Sequence, residues 1–202
     1  MINLTINGKK EEFAEETTVL EASKTLGLKI PTLCNNEFIK PYGGCRLCLV
    51  EVATERAPEN SRMLPSCCTP IGNGLIIKTD SDRVKKARIF ILQLLLSRTT
   101  DSEELKQLGR ELGALVEEGA LDPVGNYLLN RTEKPADTKC ILCGLCVRVC
   151  AEVTERHAIS FYKRGMEKEV RIPFNKVAES CIGCGSCAYV CPTNTITIEE
   201  VS

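Results

Sequence analysis

The chain opens with a two-residue rhythm in which Ile2, Leu4 and Ile6 alternate with polar neighbours and then meet Asn7-Gly8. That pair favours a tight two-residue turn because both residues tolerate positive φ, so a hairpin is expected over residues 2–16. Thr18 and Glu21 have the spacing of a capping box, Val19, Leu20 and Ala22 offer apolar contacts, and Gly27 suits a left-handed stop; a short helix is expected there. Strands are expected at Leu49–Val52, where Val50 and Val52 share a face, and at Leu75–Lys78. From Ser81 the period lengthens. Val84, Ala87, Ile91, Leu94 and Leu95 recur at three- and four-residue steps, and Asp101 with Glu104 reads as the cap of a second helix running to about Glu118. Arg131–Asp137, polar and containing Pro135, reads as a linker. Short strands are expected at Ala158–Phe161 and Thr195–Ile198, with an additional hairpin around Lys163–Lys168.

Composition alters this picture mainly through one residue type. The chain has 202 residues with 13 cysteines and a single histidine, His157. Its 26 basic and 27 acidic residues are well mixed and leave a net charge of −1, so no polybasic stripe is present to neutralise phosphates and a nucleic-acid partner is not expected. The most apolar stretch, Ile89–Leu96, is interrupted by Gln93 and is far short of the roughly 20 residues that cross a bilayer. Met1–Asn7 does not have the pattern of a secretory signal. A cytoplasmic protein is expected. In that reducing compartment cysteines at this density bind metal or do redox chemistry in preference to forming disulfides.

Twelve of the cysteines fall into three sets of four. Cys140, Cys143, Cys146 and Cys150 give C-x2-C-x2-C-x3-C, and Cys181, Cys184, Cys187 and Cys191 repeat it 41 residues later, followed by Pro192. The duplication extends to Ile141-x-Cys143-Gly144 against Ile182-x-Cys184-Gly185 and to Val149-Cys150 against Val190-Cys191. This run is the bacterial ferredoxin signature, in which three cysteines of one run and the fourth of the other hold each [4Fe-4S] cluster. Applied here, Cys140, Cys143, Cys146 and Cys191 hold one cluster, and Cys181, Cys184, Cys187 and Cys150 the other. Ala151 stands where the signature has a proline, which is not a ligand. Zinc is the competing metal, but structural zinc sites draw C-x2-C pairs from separate knuckles, whereas four cysteines lie within eleven residues in each of these tandem runs. The third set is Cys34, Cys45 and Cys48 with one of the adjacent pair Cys67 and Cys68. Its spacing departs from the plant-type [2Fe-2S] pattern C-x4-C-x2-C by a first gap of ten residues.

Residues 1–80, through Ile30-Pro31-Thr32-Leu33-Cys34, Gly44-Cys45-Arg46-x-Cys48 and Pro65-Ser66-Cys67-x-Thr69-Pro70, resemble the N-terminal ferredoxin domain of the large iron-sulfur subunit of complex I. The same module occurs in the diaphorase iron-sulfur subunit of NAD-linked hydrogenases, in the N-terminal part of [FeFe] hydrogenases and in NAD-dependent formate dehydrogenases. Lys139–Val149 and Cys181–Pro192 resemble the paired-cluster region of the same proteins. The resemblance implies an α+β chain: a β-grasp [2Fe-2S] ferredoxin domain over 1–80, a helical connector without cluster ligands over 81–135, and a bacterial-type 2[4Fe-4S] ferredoxin domain over 136–202. It also implies Cys67, two residues before Thr69-Pro70, as the fourth [2Fe-2S] ligand. Many relatives carry a His-x3-Cys-x2-Cys cluster after the first connector helix, but Ser97–Gly113 has neither residue type, so that cluster is expected to be absent. The resemblance stops before the hydrogen- or formate-converting domains of those relatives, and no such site is expected within residues 1–202.

The expected function is that of a non-catalytic relay. One [2Fe-2S] and two [4Fe-4S] clusters would pass single electrons between a flavin-containing NAD(P)H-oxidising subunit and a further redox subunit or soluble ferredoxin, within a cytoplasmic multi-subunit oxidoreductase, electron-bifurcating or not. The rivals are a free-standing polyferredoxin, which near-neutral charge disfavours because diffusing carriers are steered by charge asymmetry, and an iron-sulfur regulator, for which no DNA-binding or signalling module is visible. Cys68 is expected to be an ordinary buried residue, His157 a surface residue, and Lys85, Lys86 and Arg88 a solvated helix face. Gly72-x-Gly74 and Gly183-x-Gly185 lack the strand and helix context of a nucleotide fingerprint.

Overall fold

The computed structural model describes residues 1–13, 17–99, 101–115, 127, 138–172 and 179–198; the expected linker Arg131–Asp137 lies outside them. The chain divides into two compact units, one of Met1–Asn35 and Pro41–Leu92, the other of Asn36–Lys40 and Gln93–Ser202.

The first unit is a five-stranded sheet with a helix on it. Its strands are β1 (Ile2–Ile6), β2 (Lys9–Phe13), β3 (Leu49–Thr54), β4 (Ala57–Pro65) and β5 (Leu75–Lys78), in the order β2-β1-β5-β3-β4. β1 and β5 are parallel, with Ile6 beside Ile77, and the other neighbours are antiparallel. Asn7 at φ 50° and Gly8 at φ 83° form the turn between β1 and β2. Asn7 also ties that turn to the end of β5, since its Nδ2 donates to Thr79 Oγ1 at 2.8 Å and its Oδ1 accepts from the Thr79 N–H at 2.9 Å. α1 (Val19–Thr25) is capped by Thr18, whose Oγ1 accepts from the Glu21 N–H at 3.2 Å. It buries Val19, Leu20 and Ala22 against Leu4, Ile6, Val50, Val52 and Ile77. One helix packed on a mixed sheet with a central parallel pair is the β-grasp arrangement.

Two elements differ from expectation here. β4 is an additional strand that alternation does not announce, because Ala57–Pro65 carries two prolines among charged and polar residues. It lies at the sheet edge, paired only with β3, where such residues are tolerated because one row of backbone groups needs no partner. The connector helix α2 (Asp82–Arg98) buries Val84, Arg88, Leu92 and Leu96, not the expected stripe through Leu94, which is 40% exposed. Lys85 and Lys86 are exposed as expected. Arg88 is not solvated: its Nη2 donates to the Leu49 carbonyl at 2.7 Å.

The second unit contains α3 (Glu103–Leu112), α4 (Leu145–Glu152), β6 (Ser160–Tyr162), β7 (Glu169–Arg171) and the one-turn helix α5 (Ser186–Tyr189). Ser102, rather than Asp101, caps α3 through an Oγ that accepts from the Leu105 N–H at 3.3 Å. Gly113, at φ 71°, stops that helix well before Glu118. The hairpin around Lys163–Lys168 is present, with β6 and β7 pairing antiparallel. The strand expected at Ala158–Phe161 is displaced to Ser160–Tyr162, and Thr195–Ile198 forms none. A small core joins Leu145, Val149 and Val190 to Ile39, with Cys143 and Cys187 packed against it. Ile39 belongs to the excursion Asn36–Lys40, which Arg148 holds by donating from Nη1 to the Lys40 carbonyl at 2.6 Å; Phe38 lies against Tyr189 with ring centroids 6.5 Å apart. The long gap between Cys34 and Cys45 thus has a use, because five of its residues pack in the second unit.

Candidate metal centres

In the first unit, Cys34, Cys45, Cys48 and Cys67 are all buried. Cys34 follows α1 on an irregular segment, Cys45 and Cys48 sit in the turn that leads into β3, and Cys67 lies in the turn after β4. That last turn is fastened at both ends, by the Ser66 N–H donating to the Cys48 carbonyl at 3.0 Å and the Leu20 N–H donating to the Ser66 carbonyl at 3.1 Å. Arg46, at φ 62°, has left-handed backbone between two of the cysteines. At Gly44 an added Cβ would stand 2.6 Å from the end of the exposed Tyr42 ring, which would have to swing aside.

These thiols meet in two pairs. The Cys45 N–H donates to Cys34 Sγ at 3.2 Å, and Cys48 Sγ lies 3.4 Å from Cys67 Sγ. Within each pair the two thiols are pushed in opposite directions. The Cys34 thiol, by hydrogen bonding, lowers Cys45 to about 6 against the opposing effect of burial, and Cys67 does the same for Cys48, again to about 6. Cys34 and Cys67 are pushed far up by those same hydrogen bonds and by burial. Cys68 differs from expectation in being exposed. Its Sγ is 3.5 Å from that of Cys67, but its side chain is directed outward, past Gly43.

In the second unit a cavity of about 660 Å³ is lined by Cys140, Cys143, Cys146 and Cys191, three from one run and one from the other. Burial foremost, then the charges of Cys143, Cys140 and Cys191, pushes Cys146 up to about 12. Burial also raises Cys191, but N–H groups around Thr193 and Thr195 outweigh it and leave that thiol lowered; the Thr195 N–H donates to its Sγ at 3.3 Å. Cys187 is raised by burial, with Cys184 and Cys150 adding repulsion, which places the last cysteine of the first run in the field of the second. Cys150 is buried and accepts from the Ala158 N–H at 3.3 Å, whereas Cys181 and Cys184 are exposed. His157 is exposed.

The donor set fits iron-sulfur groups. It consists of thiols, the soft ligands that iron and sulfide take, and none is committed to a disulfide. Among the described residues no three His, Cys, Asp or Glu side chains are close enough together to hold a single metal ion, and four of the second unit's thiols, Cys140, Cys143, Cys146 and Cys191, stand around an open cavity. The buried Ser66 hydroxyl, next to Cys67, is directed at Cys48 and favours its thiolate, so it already points a donor at a sulfur that an anionic group would share. Nothing in the sequence pattern singles out Ser66 or the half-buried Arg98, and Arg88 is expected on a solvated face; the four-residue step from Val84 to Arg88 and Leu92 is the signal that could have marked it as buried.

Residues 1–82 match the family described as 2Fe-2S iron-sulfur cluster binding domain, and residues 139–201 match the 4Fe-4S dicluster domain. Over 99% of its length the chain is 34% identical to the NADP-reducing hydrogenase subunit HndD of Solidesulfovibrio fructosivorans, covering 36% of that protein. It is 32% identical to the NADPH-Fe(3+) oxidoreductase subunit alpha of Geobacter sulfurreducens over 97% of the chain and 24% of the relative. It is 30% identical to a subunit of the NADH-quinone oxidoreductase of Rickettsia bellii, with 97% and 30% covered. The chain therefore spans about a third or less of these relatives' lengths. A chain in the crystal structure of an NAD+-reducing [NiFe]-hydrogenase in the H2-reduced state superposes with a TM-score of 0.73 at 24% identity, over 96% of this chain and 86% of that one. At that identity the likeness establishes the fold. No helix among the described residues is long and apolar enough to cross a membrane.

Proposed function

We propose that this chain, a [2Fe-2S] domain followed by a 4Fe-4S dicluster domain, relays single electrons as the iron-sulfur part of a cytoplasmic, multi-subunit NAD(P)-linked oxidoreductase. Cys34, Cys45, Cys48 and Cys67 hold the [2Fe-2S] group. Cys140, Cys143, Cys146 and Cys191 hold one [4Fe-4S] group, and Cys150, Cys181, Cys184 and Cys187 hold the other. Cys68 is spare. The observation that carries the reading is the meeting of Cys191 with the first run around one cavity, since a pair of independent zinc knuckles has no reason to exchange its last cysteine.

When bound, iron-sulfur groups supply one-electron couples whose potentials follow their surroundings. The rest of the task falls to the protein. Its thiolates fix position, its buried loops exclude water, and N–H groups such as those of Cys45, Ala158 and Thr195 direct hydrogen bonds at sulfur, which steadies the charge that accumulates there. No residue set among these can split a hydride into single electrons, a step that requires a flavin. The partners proposed are therefore a flavin-containing NAD(P)H-oxidising subunit on one side and a further redox subunit or ferredoxin on the other.

Anaerobic purification of the native protein tests this. About ten irons per chain are expected, the sum of one [2Fe-2S] and two [4Fe-4S] groups, together with a co-purifying flavoprotein. Stoichiometric zinc would overturn the ligand assignment. A lone 22.2 kDa species fully competent as a carrier would sink the subunit role.

A further inference from the structure

α2 contains no cysteine, yet it carries two arginines whose surroundings are unusual in the same way. Arg88 lies in the first unit and Arg98 in the second. Each guanidinium is anchored at Nη2 by a backbone carbonyl, Arg88 by Leu49 at 2.7 Å and Arg98 by Lys168 at 2.8 Å. Each Nε is buried and has no hydrogen-bond partner. Neither forms a carboxylate ion pair among the described residues. A guanidinium with a buried, unused donor is costly unless an anion lies within reach.

Arg88 feels the charges of Asp80 and Cys48, and Arg98 shares its wall with four thiols. Arg88 is anchored on the residue next to Cys48, and burial lowers its pKa while the charges of Asp80 and Cys48 oppose that shift. Arg98 lines the cavity that Cys140, Cys143, Cys146 and Cys191 share. The other cations on that wall are already engaged: Lys163 with Glu167 at 3.3 Å, Arg171 with Glu169 at 3.0 Å, and Lys168 over the Phe161 ring at 3.8 Å. Among the described cations of that wall, Arg98 alone has neither a carboxylate nor a ring partner.

We propose that α2 supplies one potential-setting arginine to each unit, Arg88 to the [2Fe-2S] group and Arg98 to the [4Fe-4S] group of the Cys191 cavity. The proposal rests on the ligand assignment above. Four thiolates around an iron-sulfur core make an anion that becomes more negative on reduction. A fixed guanidinium with a free N–H favours the reduced form and raises the potential. Both are positioning residues that act through the thiolates and take no part in holding iron. Ten residues separate them, about 15 Å along the helix axis, so each can be changed without touching the other.

The test is an EPR-monitored redox titration of the anaerobically purified holoprotein carrying Arg88→Gln or Arg98→Gln. Arg88→Gln is expected to lower the [2Fe-2S] midpoint by about a tenfold change in the reduced-to-oxidised ratio, ~59 mV for a one-electron couple, and to leave both [4Fe-4S] midpoints in place. Arg98→Gln is expected to lower one [4Fe-4S] midpoint by a similar amount and nothing else, with Arg98→Lys recovering part of the shift. Full iron with unmoved midpoints overturns the proposal, as does an equal shift of all three. Wild-type protein without iron-sulfur signals refutes the ligand assignment instead. If the glutamine variants do not accumulate, the unaltered protein labelled with ¹⁵N-arginine is examined by pulsed EPR. Coupling to ¹⁵N is expected on the [2Fe-2S] signal and on one [4Fe-4S] signal, and its absence from either overturns the corresponding arginine's role.

Discussion

The first unit has a continuous apolar core between sheet and helix, whereas the described core around the cysteine runs of the second is small. In the first, Leu4, Ile6, Val19, Leu20, Val50 and Ile77 close a continuous apolar layer between sheet and helix, with Cys48 and Cys67 buried among them. In the second, the cluster around α4 and α5 is Ile39, Leu145, Val149 and Val190, completed by Cys143 and Cys187. A cysteine that completes a core is also a cysteine that must be held in place. The two regions are expected to differ in their response to iron: the sheet and helix of the first should persist without it, while the surroundings of α4 and α5 should order with it.

Removing iron should separate these cases with the largest effect. In chelated protein under anaerobic reducing conditions, hydrogen exchange is expected to accelerate by on the order of a hundredfold or more across α4 and α5, and to change little in β1, β3 and β5. Equal acceleration in both units would show that the first also depends on its metal. A milder contrast operates inside the second unit, where the two cysteine runs share backbone but not burial. Gly144 at φ 75° and Gly185 at φ 72° start their helices in the same way, and Leu142 at φ 53° repeats Gly183 at φ 67°. Cys146 and Cys150 are nevertheless buried while Cys181 and Cys184 are exposed.

The crossing of ligands is the next thing to break. Cys191→Ala is expected to remove about four of about ten irons, and adding Cys140→Ala should remove no more, because both thiols serve one group. Cys191→Ala with Cys181→Ala should leave only about two. If the first double variant lost both [4Fe-4S] groups and the second lost only one, each run would hold its own group and the crossed assignment would fail. Metal analysis with EPR decides between them.

The elements that were legible in the sequence are those whose signals are local. The Asn7-Gly8 turn, the Thr18 cap, β5 and the hairpin around Lys163–Lys168 each depend on residues within a few positions of one another. The duplication also made the cysteine runs readable, since a repeat of eleven residues states its own register. What was not legible depended on distant partners. β4 exists because β3 offers it an edge. The buried face of α2 is rotated toward Arg88 because the Leu49 carbonyl waits there, and Cys68 points outward because Cys67 fills the inner position. The ten-residue gap after Cys34 looked like a departure from a spacing rule, and its reason lies in contacts more than a hundred residues away, such as Arg148 on Lys40.

That contact gives a smaller test of the comparison. Arg148 donates to Glu152 at 2.6 and 2.9 Å as well as to the Lys40 carbonyl, so it pins the excursion Asn36–Lys40 to α4. Arg148→Ala is expected to cost about 1.5–3 kcal/mol, the usual range for a charge-assisted hydrogen bond, and to lower the denaturant midpoint of the second unit. The first unit's midpoint should hold, followed through exchange of its β5 amides. If instead β5 loosens and α4 does not, the excursion serves the first unit and the division of labour inferred for the long loop is reversed.

The smallest effect concerns pH and belongs to the first unit. Glu51, on β3, is buried. The Ser81 hydroxyl foremost, with Ser61 and Arg83 assisting against burial, holds its carboxyl below the ordinary 4.5; the Ser81 bond is 2.6 Å and the Arg83 contact 3.3 Å. A carboxyl depressed in the folded state binds its proton first in the unfolded chain. The stability it adds is therefore complete above the unfolded value and is lost as pH falls through the lower folded one. Iron-sulfur groups are also acid-labile, so wild-type protein alone would confuse the two causes. Glu51→Gln removes only the carboxyl. The difference in first-unit stability between wild type and Glu51→Gln should be constant above about pH 5.5, a unit clear of the ordinary carboxyl range, and shrink below pH 4.5, with no counterpart in α4. A difference that does not change with pH would mean that Ser81 and Arg83 recognise the shape of the side chain and not its charge.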